Sequence, residues 1–154
     1  MKKRKGGLNK FVSRFVFIVS RLYDPKVNIK RFEDLEIWQD ARQLCRIIFT
    51  ITSAAPFCND FKFRDQIRAS GGSTMDNIAE GFDRGGNKEF HQFLSVVRGS
   101  AGEVRSQTYR AYDWKYIDEE VFNDLLERTD SLSRKTYNLM QHLKNSEIKG
   151  IKYS

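Results

Sequence analysis

Cysteine, proline and histidine each occur only twice in the 154 residues, and each scarcity excludes something. Cys45 and Cys58 are too few for a disulfide framework and lack CxxC spacing, so a reduced, cytoplasmic setting is expected. His91 and His142 fall on different predicted helices. There is no HExxH and no cluster of Cys, His and carboxylate at metal-ligand spacing, so neither a metal nor another cofactor is expected. No stretch alternates as a strand does, no repeat of solenoid length is visible and no tract is of low complexity. Long apolar runs are missing too, and a transmembrane helix needs about 20 such residues. The basic start and the apolar stretch Phe15 to Val19 imitate a signal peptide, but Arg14 interrupts it and no small-residue cleavage site follows. Neither export nor a membrane span is expected.

What charge there is lies unevenly. Residues 1–31 hold ten Lys and Arg against one Asp, a balance of +9, whereas residues 32–154 hold seventeen basic and nineteen acidic side chains, a balance of −2. The net +7 therefore belongs to an N-terminal tail, and any argument for a polyanionic partner applies to that tail first. Within it, residues 8–23 have the pattern of a basic amphipathic helix. Phe11, Phe15, Ile18 and Leu22 share one face, with Lys10, Arg14 and Arg21 beside it. Two readings stand: an arm that meets RNA or lipid headgroups, and an extension that is poorly ordered alone.

With 40% hydrophobic residues the remainder suits one core and one domain. A first helix is expected from Phe32 to about Ala55, with Ile37, Ala41, Leu44, Ile48 and Ile51 in one stripe. Leu35, Trp38, Cys45 and Phe49 widen that stripe beyond what one four-helix core covers, so Trp38 and Phe49 are candidates for an oligomer interface. Asp60 is the expected N-cap of a second helix that runs to Glu80, with Gly81 as the left-handed residue beyond its end. Asn87 is the expected cap of a third helix, which reaches about Trp114 with Phe90, Leu94, Val97, Ala101, Val104, Thr108 and Ala111 as its seam. Asp118 to Glu120 open a fourth, whose seam is Phe122, Leu125, Thr129, Leu132, Thr136, Leu139 and Leu143. Short links favour antiparallel neighbours. The fold expected is all-α: an antiparallel up-down four-helix bundle over residues 32–148, with a basic N-terminal extension over 1–31 and a frayed end over 149–154.

Signatures of catalysis are missing. The run Gly81 to Lys88 comes close to a phosphate-binding loop, but Asn87 stands where lysine belongs, Glu89 replaces Ser or Thr, and the run follows a helix and not a strand. Gly99-Ser100-Ala101-Gly102 is not a nucleophile elbow, and small residues there suit close packing. Arg68, Asn77, Glu80, Arg98 and Glu103 lie near small or apolar faces and are candidates for a partly buried polar network that fixes helix register, since buried charges need partners. For nucleic acid, the candidate contacts are Lys2, Lys3, Arg4, Lys5, Lys10, Arg14 and Arg21 on the tail, and Arg64, Arg84, Lys88 and Arg105 on the bundle. The aromatic residues Phe90, Phe93, Tyr109, Tyr112, Trp114 and Tyr116 could stack on bases, but at helical spacing they read first as core.

Several segments taken together carry a family resemblance: RFEDLEIWQDA (Arg31 to Ala41), QIR (Gln66 to Arg68), DNIAEG (Asp76 to Gly81), KEFHQFL (Lys88 to Leu94) and GSAGEV (Gly99 to Val104). In order and spacing they resemble the four-helix-bundle proteins encoded in intervening sequences of bacterial 23S ribosomal RNA genes. The resemblance spans Arg31 to about Leu143 and implies an up-down bundle, a homopentameric ring and no enzymatic activity. It also implies distant kinship with accessory proteins of diversity-generating retroelements, which bind nucleic acid and a reverse transcriptase. At Ala69 to Gly72 the sequence departs from the pattern, which has a second arginine there and fewer glycines. The function expected is a non-enzymatic oligomeric scaffold that binds structured RNA, and the alternative is a protein-binding assembly module.

Overall fold

The computed structural model describes residues 29–152, with side chains through residue 145. Among them are four α-helices and no strand: α1 (Glu36–Thr52), α2 (Phe61–Asp83), α3 (Asn87–Asp113) and α4 (Glu119–Lys152). Short links make consecutive helices antiparallel neighbours, and α4 closes the bundle against α1. Residues 1–28, which hold most of the basic tail, lie outside the described residues.

The bundle begins earlier than the change in charge suggests. Ile29 is fully buried in the core, so the boundary at residue 31 moves at least two residues towards the N-terminus. A 3-10 turn, Phe32–Asp34, follows it. The Asp34 carboxylate accepts the backbone N–H groups of Lys30 (3.0 Å) and Arg31 (3.2 Å). The Lys30 N–H, more than the nearby Arg31 guanidinium, holds that carboxyl below its usual range.

Helix α1 buries Ile37, Ala41, Leu44 and Ile48 as its periodicity predicts, and ends at Thr52, short of Ala55. Asp60 caps α2 by accepting the Phe63 N–H at 3.1 Å through one oxygen. Its other oxygen accepts the Tyr116 hydroxyl at 3.1 Å, which ties the start of α2 to the α3–α4 link. Burial first, and then the Asp60 carboxylate, raise the Tyr116 pKa. Around this pin Phe63 packs on Phe57, Trp114 and Tyr116.

The second helix differs from expectation at its end. It continues through Gly81 and Phe82 to Asp83, because Phe82 is buried edge-on against Phe90 with ring centroids 6.0 Å apart. Gly81 is helical and buried, and Gly85 takes the left-handed conformation with φ 74°. Asn87 is the first residue of α3 and not its cap; extended Gly86 precedes it without a side-chain cap. At α4 the Asp118 side chain accepts the Val121 N–H at 2.9 Å, as the acidic start predicts. The expected seam of α4 is buried from Leu125 to Leu143, with Phe122 half-buried at its start. Between α1 and α4, Lys135 bonds Asp40 at 2.8 Å and also Glu36. Among the described residues no helix is long and apolar enough to cross a membrane.

Candidate functional site

The middle of the α2–α3 seam is polar and narrow. Ser70 and Ser73 leave little side chain between the helices where they meet Ser100, Glu103 and Gln107, while Gly71 faces Ile48 of α1. Ser73 and Ser100 share a hydrogen bond of 2.8 Å across the seam. Asn77 steadies Ser73 by donating to its carbonyl (2.8 Å) and its hydroxyl (3.0 Å). One turn away, the Gln107 amide donates to the Ser70 hydroxyl at 3.0 Å, and Ser70 bonds Glu103 Oε2 at 3.1 Å.

Where this layer meets the surface it opens into a groove of about 410 Å³ lined by Gln66, Glu103, Ser106, Gln107 and Arg110. Arg110 lies with its guanidinium 4.0 Å from the centre of the Phe63 ring and donates to Gln66 Oε1 at 2.9 Å. Two buried atoms, Gln107 Oε1 and Arg110 Nε, have no hydrogen-bond partner among the described residues. An unmet buried polar atom costs about 1–3 kcal/mol, so a native structure that keeps two together needs an explanation.

The five residues expected to form one polar network are dispersed. Only Asn77 and Glu103 belong to the seam. Arg68 donates to Thr52 and Ser53 at the end of α1 and covers Phe49, with its guanidinium 4.6 Å from the ring centre. Glu80 pairs with Arg84 at 2.7 Å on the surface, and Arg98 lies 4.9 Å from the centre of the Tyr137 ring. Ser70, Ser73, Ser100 and Gln107 are the partners that sequence reasoning missed. Small residues at the helix interface signalled close approach, but a serine's hydroxyl partner depends on the register of the facing helix.

The candidate cations of the bundle do not gather into one patch. Arg64, on α2, and Arg84, its C-cap residue, are twenty residues apart, about 30 Å along the axis. Arg64 bonds Asp65 at 2.8 Å and lies over Phe61, while Arg105 is spent on the Leu126 carbonyl of α4 at 2.9 Å. Lys88 is exposed. The tail candidates Lys2, Lys3, Arg4, Lys5, Lys10, Arg14 and Arg21 lie outside the described residues. Of the two interface candidates, Trp38 is half-buried against Phe32, with ring centroids 5.1 Å apart. Phe49 is 61% exposed, and Phe61, which sequence reasoning did not single out, is 65% exposed.

A four-helix bundle with a small-residue α2–α3 seam agrees with a family match over most of it: the model described as 23S rRNA-intervening sequence protein matches residues 33–138. The chain belongs to this family. The matched span takes in all of α1, α2 and α3, and α4 as far as Asn138, and with them most of the segments that carry the resemblance. DNIAEG, for example, runs into the α2 turn at which Gly81 touches α3. No curated protein matches the chain.

Proposed function

We propose that the protein is a non-enzymatic, cytoplasmic scaffold that binds structured RNA through basic tails multiplied on one oligomer, a homopentamer by family resemblance. The observation that carries this reading is the division of charge, +9 before Phe32 and −2 after it. Phosphate neutralisation favours the tail, and its affinity falls steeply with salt. The bundle adds less, because Arg64 bonds Asp65, Arg105 bonds the Leu126 carbonyl and Arg84 pairs with Glu80 on the surface, which leaves Lys88 as the exposed candidate without such a bond among the described residues. Several tails on one ring act together, and such linkage raises avidity by roughly 10²–10⁴ without any new contact. The absence of an enzymatic role rests on the sequence, which offers no nucleophile with a base and no catalytic motif.

A second reading, a protein-binding assembly module, is favoured by Phe49 and Phe61, two large exposed rings each under an arginine. A salt titration separates the two. The full chain is expected to bind RNA with a steep negative salt slope, and a chain starting at residue 27, which keeps Ile29, is expected to lose most of that affinity while keeping its oligomeric state by light scattering. Equal binding by the truncated chain moves the contact onto the bundle. No binding by the full chain at low salt leaves the protein-binding module as the better reading.

A further inference from the structure

The groove between α2 and α3 carries an unmatched pattern of charge and hydrogen bonding that none of the proposed RNA contacts uses. Along one face of α3 stand Glu103, Gln107 and Arg110, at spacings of four and three residues. Glu103 has no cation within ion-pair distance among the described residues; its recorded partner is the neutral Ser70 hydroxyl. Arg110 likewise has no carboxylate there; its partners are the amide oxygen of Gln66 and the faces of Phe63 and Trp114.

Gln107 lies between them, only 6% exposed, with Oε1 unpartnered. Turning the amide over does not remove the deficit. The Ser70 hydroxyl carries a single hydrogen, so a reversed amide that accepted it would leave the Gln107 N–H₂ without its acceptor. The groove is thus lined by an anion, Glu103, and a cation, Arg110, on either side of Gln107, and the unpartnered Gln107 Oε1 and Arg110 Nε are buried beneath it. Seven residues of helix separate the ends by about 10 Å, and the groups on α2 that they meet, Ser70 and Gln66, are one turn or about 6 Å apart.

We infer that this groove binds a basic α-amino acid, either free or as the C-terminal residue of a peptide. The side-chain cation meets Glu103, the α-carboxylate pairs with the Arg110 guanidinium, and the α-nitrogen donates to Gln107 Oε1 once that side chain turns out of its buried position. A four-carbon stem separates such charges by roughly 6 Å, which fits the span, whereas a shorter zwitterion reaches one end only. A phosphate ester brings only negative charge into a groove that already holds Glu103. The inference is independent of the RNA reading, since it requires neither the tail nor a polyanion.

Calorimetric titration of the full chain, with the Gln107 side-chain amide followed by NMR, tests it. L-lysine or L-arginine is expected to bind at least about tenfold more tightly than norleucine, which lacks the side-chain cation, and than cadaverine, which lacks the carboxylate. Glu103→Gln is expected to abolish the preference for lysine over norleucine. Because Glu103 is exposed, that variant remains informative even if Arg110→Gln, which uncovers Phe63, fails to fold. A peptide ending in lysine distinguishes the sources: tighter binding than free lysine assigns the groove to chain ends, and weaker binding assigns it to the free amino acid. No shift of the Gln107 amide up to about 10 mM lysine, arginine or peptide, tenfold above a millimolar Kd, overturns the inference, as does equal affinity for lysine and norleucine.

Discussion

A β-carbon added to Gly81 would lie 2.6 Å from Cβ of Phe93, closer than two such atoms can stand. The last turn of α2 therefore meets the first turns of α3 through the root of a side chain, where neither partner can swing aside. Gly81→Ala is expected to destabilise the protein by about 1–3 kcal/mol through overpacking, despite alanine's better helix propensity. Gly102→Ala, in the interior of α3 with nothing within 4 Å of the new carbon, is expected to stabilise it by about 0.5–1 kcal/mol. Urea denaturation of both variants checks the pair, and two shifts of the same sign would contradict the packing described.

Thr136 is fully buried on α4, and its hydroxyl has no partner among the described residues. Thr129, two steps back along the same seam, bonds the Leu125 carbonyl at 2.8 Å. Thr136→Val keeps the shape and removes the unmet hydroxyl, so a gain of about 1 kcal/mol is expected. Thr129→Val forfeits a made bond and is expected to give less. Thermal melts that ranked the two in the opposite order would refute this assignment.

Burial, and then the Asp76 carboxylate, push the Cys45 thiol up to about 11 from 9.0. The folded state holds that proton while the unfolded chain releases it, so the stability associated with Cys45 is complete below pH 9 and is lost between pH 9 and about 11. In a Cys58→Ser background, alkylation of Cys45 is expected to be slow at neutral pH and to accelerate through that window. Cys45→Ala is expected to flatten the alkaline limb of stability against pH, and an unchanged limb counts against a partly buried thiol with a raised pKa.

Burial pulls the Lys135 ammonium pKa down, but the bonds to Asp40 and Glu36 outweigh it and the net direction is up from 10.5. The ion pair's stabilisation is therefore present below pH 10.5 and is lost as pH rises through the higher folded value. Both ends are partly exposed, so Lys135→Met is expected to cost less than about 1 kcal/mol at neutral pH. That cost should shrink between about 0.01 M and 1 M salt, where screening shortens from roughly 30 Å to 3 Å. Denaturation midpoints in the two salts measure it, and a salt-independent loss would mean that Lys135 acts through its packing.

The seams of α3 and α4 were legible because apolar residues repeated every three or four positions over many turns, and burial followed that repeat from Leu94 to Leu143. The caps at Asp60 and Asp118 were legible for the same reason, as local chemistry that needs no distant partner. Gly81 misled because glycine fits both a left-handed helix end and a close helix crossing, and only the position of Phe93 decides between them. Ile29 was hidden by the charges around it, since a single apolar residue has no periodicity to announce its burial. The candidate groove was the least legible part. Glu103 was singled out, but Gln107 and Arg110 acquire their roles from Ser70, Gln66 and Phe63 on another helix.

The serine and glycine seam between α2 and α3 also bears on how the protein responds to temperature. Apolar surface exposed on unfolding raises the heat capacity, by about 0.45 cal/K/mol per Å², whereas polar surface lowers it, by about 0.26. The middle of the α2–α3 seam, joined by Ser73–Ser100 and Ser70–Gln107 bonds, releases hydroxyls and amides along with few methyl groups. The leucine-lined α4 face, by contrast, releases mostly hydrocarbon, whose driving force fades on cooling. Cold therefore weakens the leucine packing of α4 more than the hydroxyl and amide bonds at the middle of the α2–α3 seam, so one bundle meets low temperature with unequal margins along its seams.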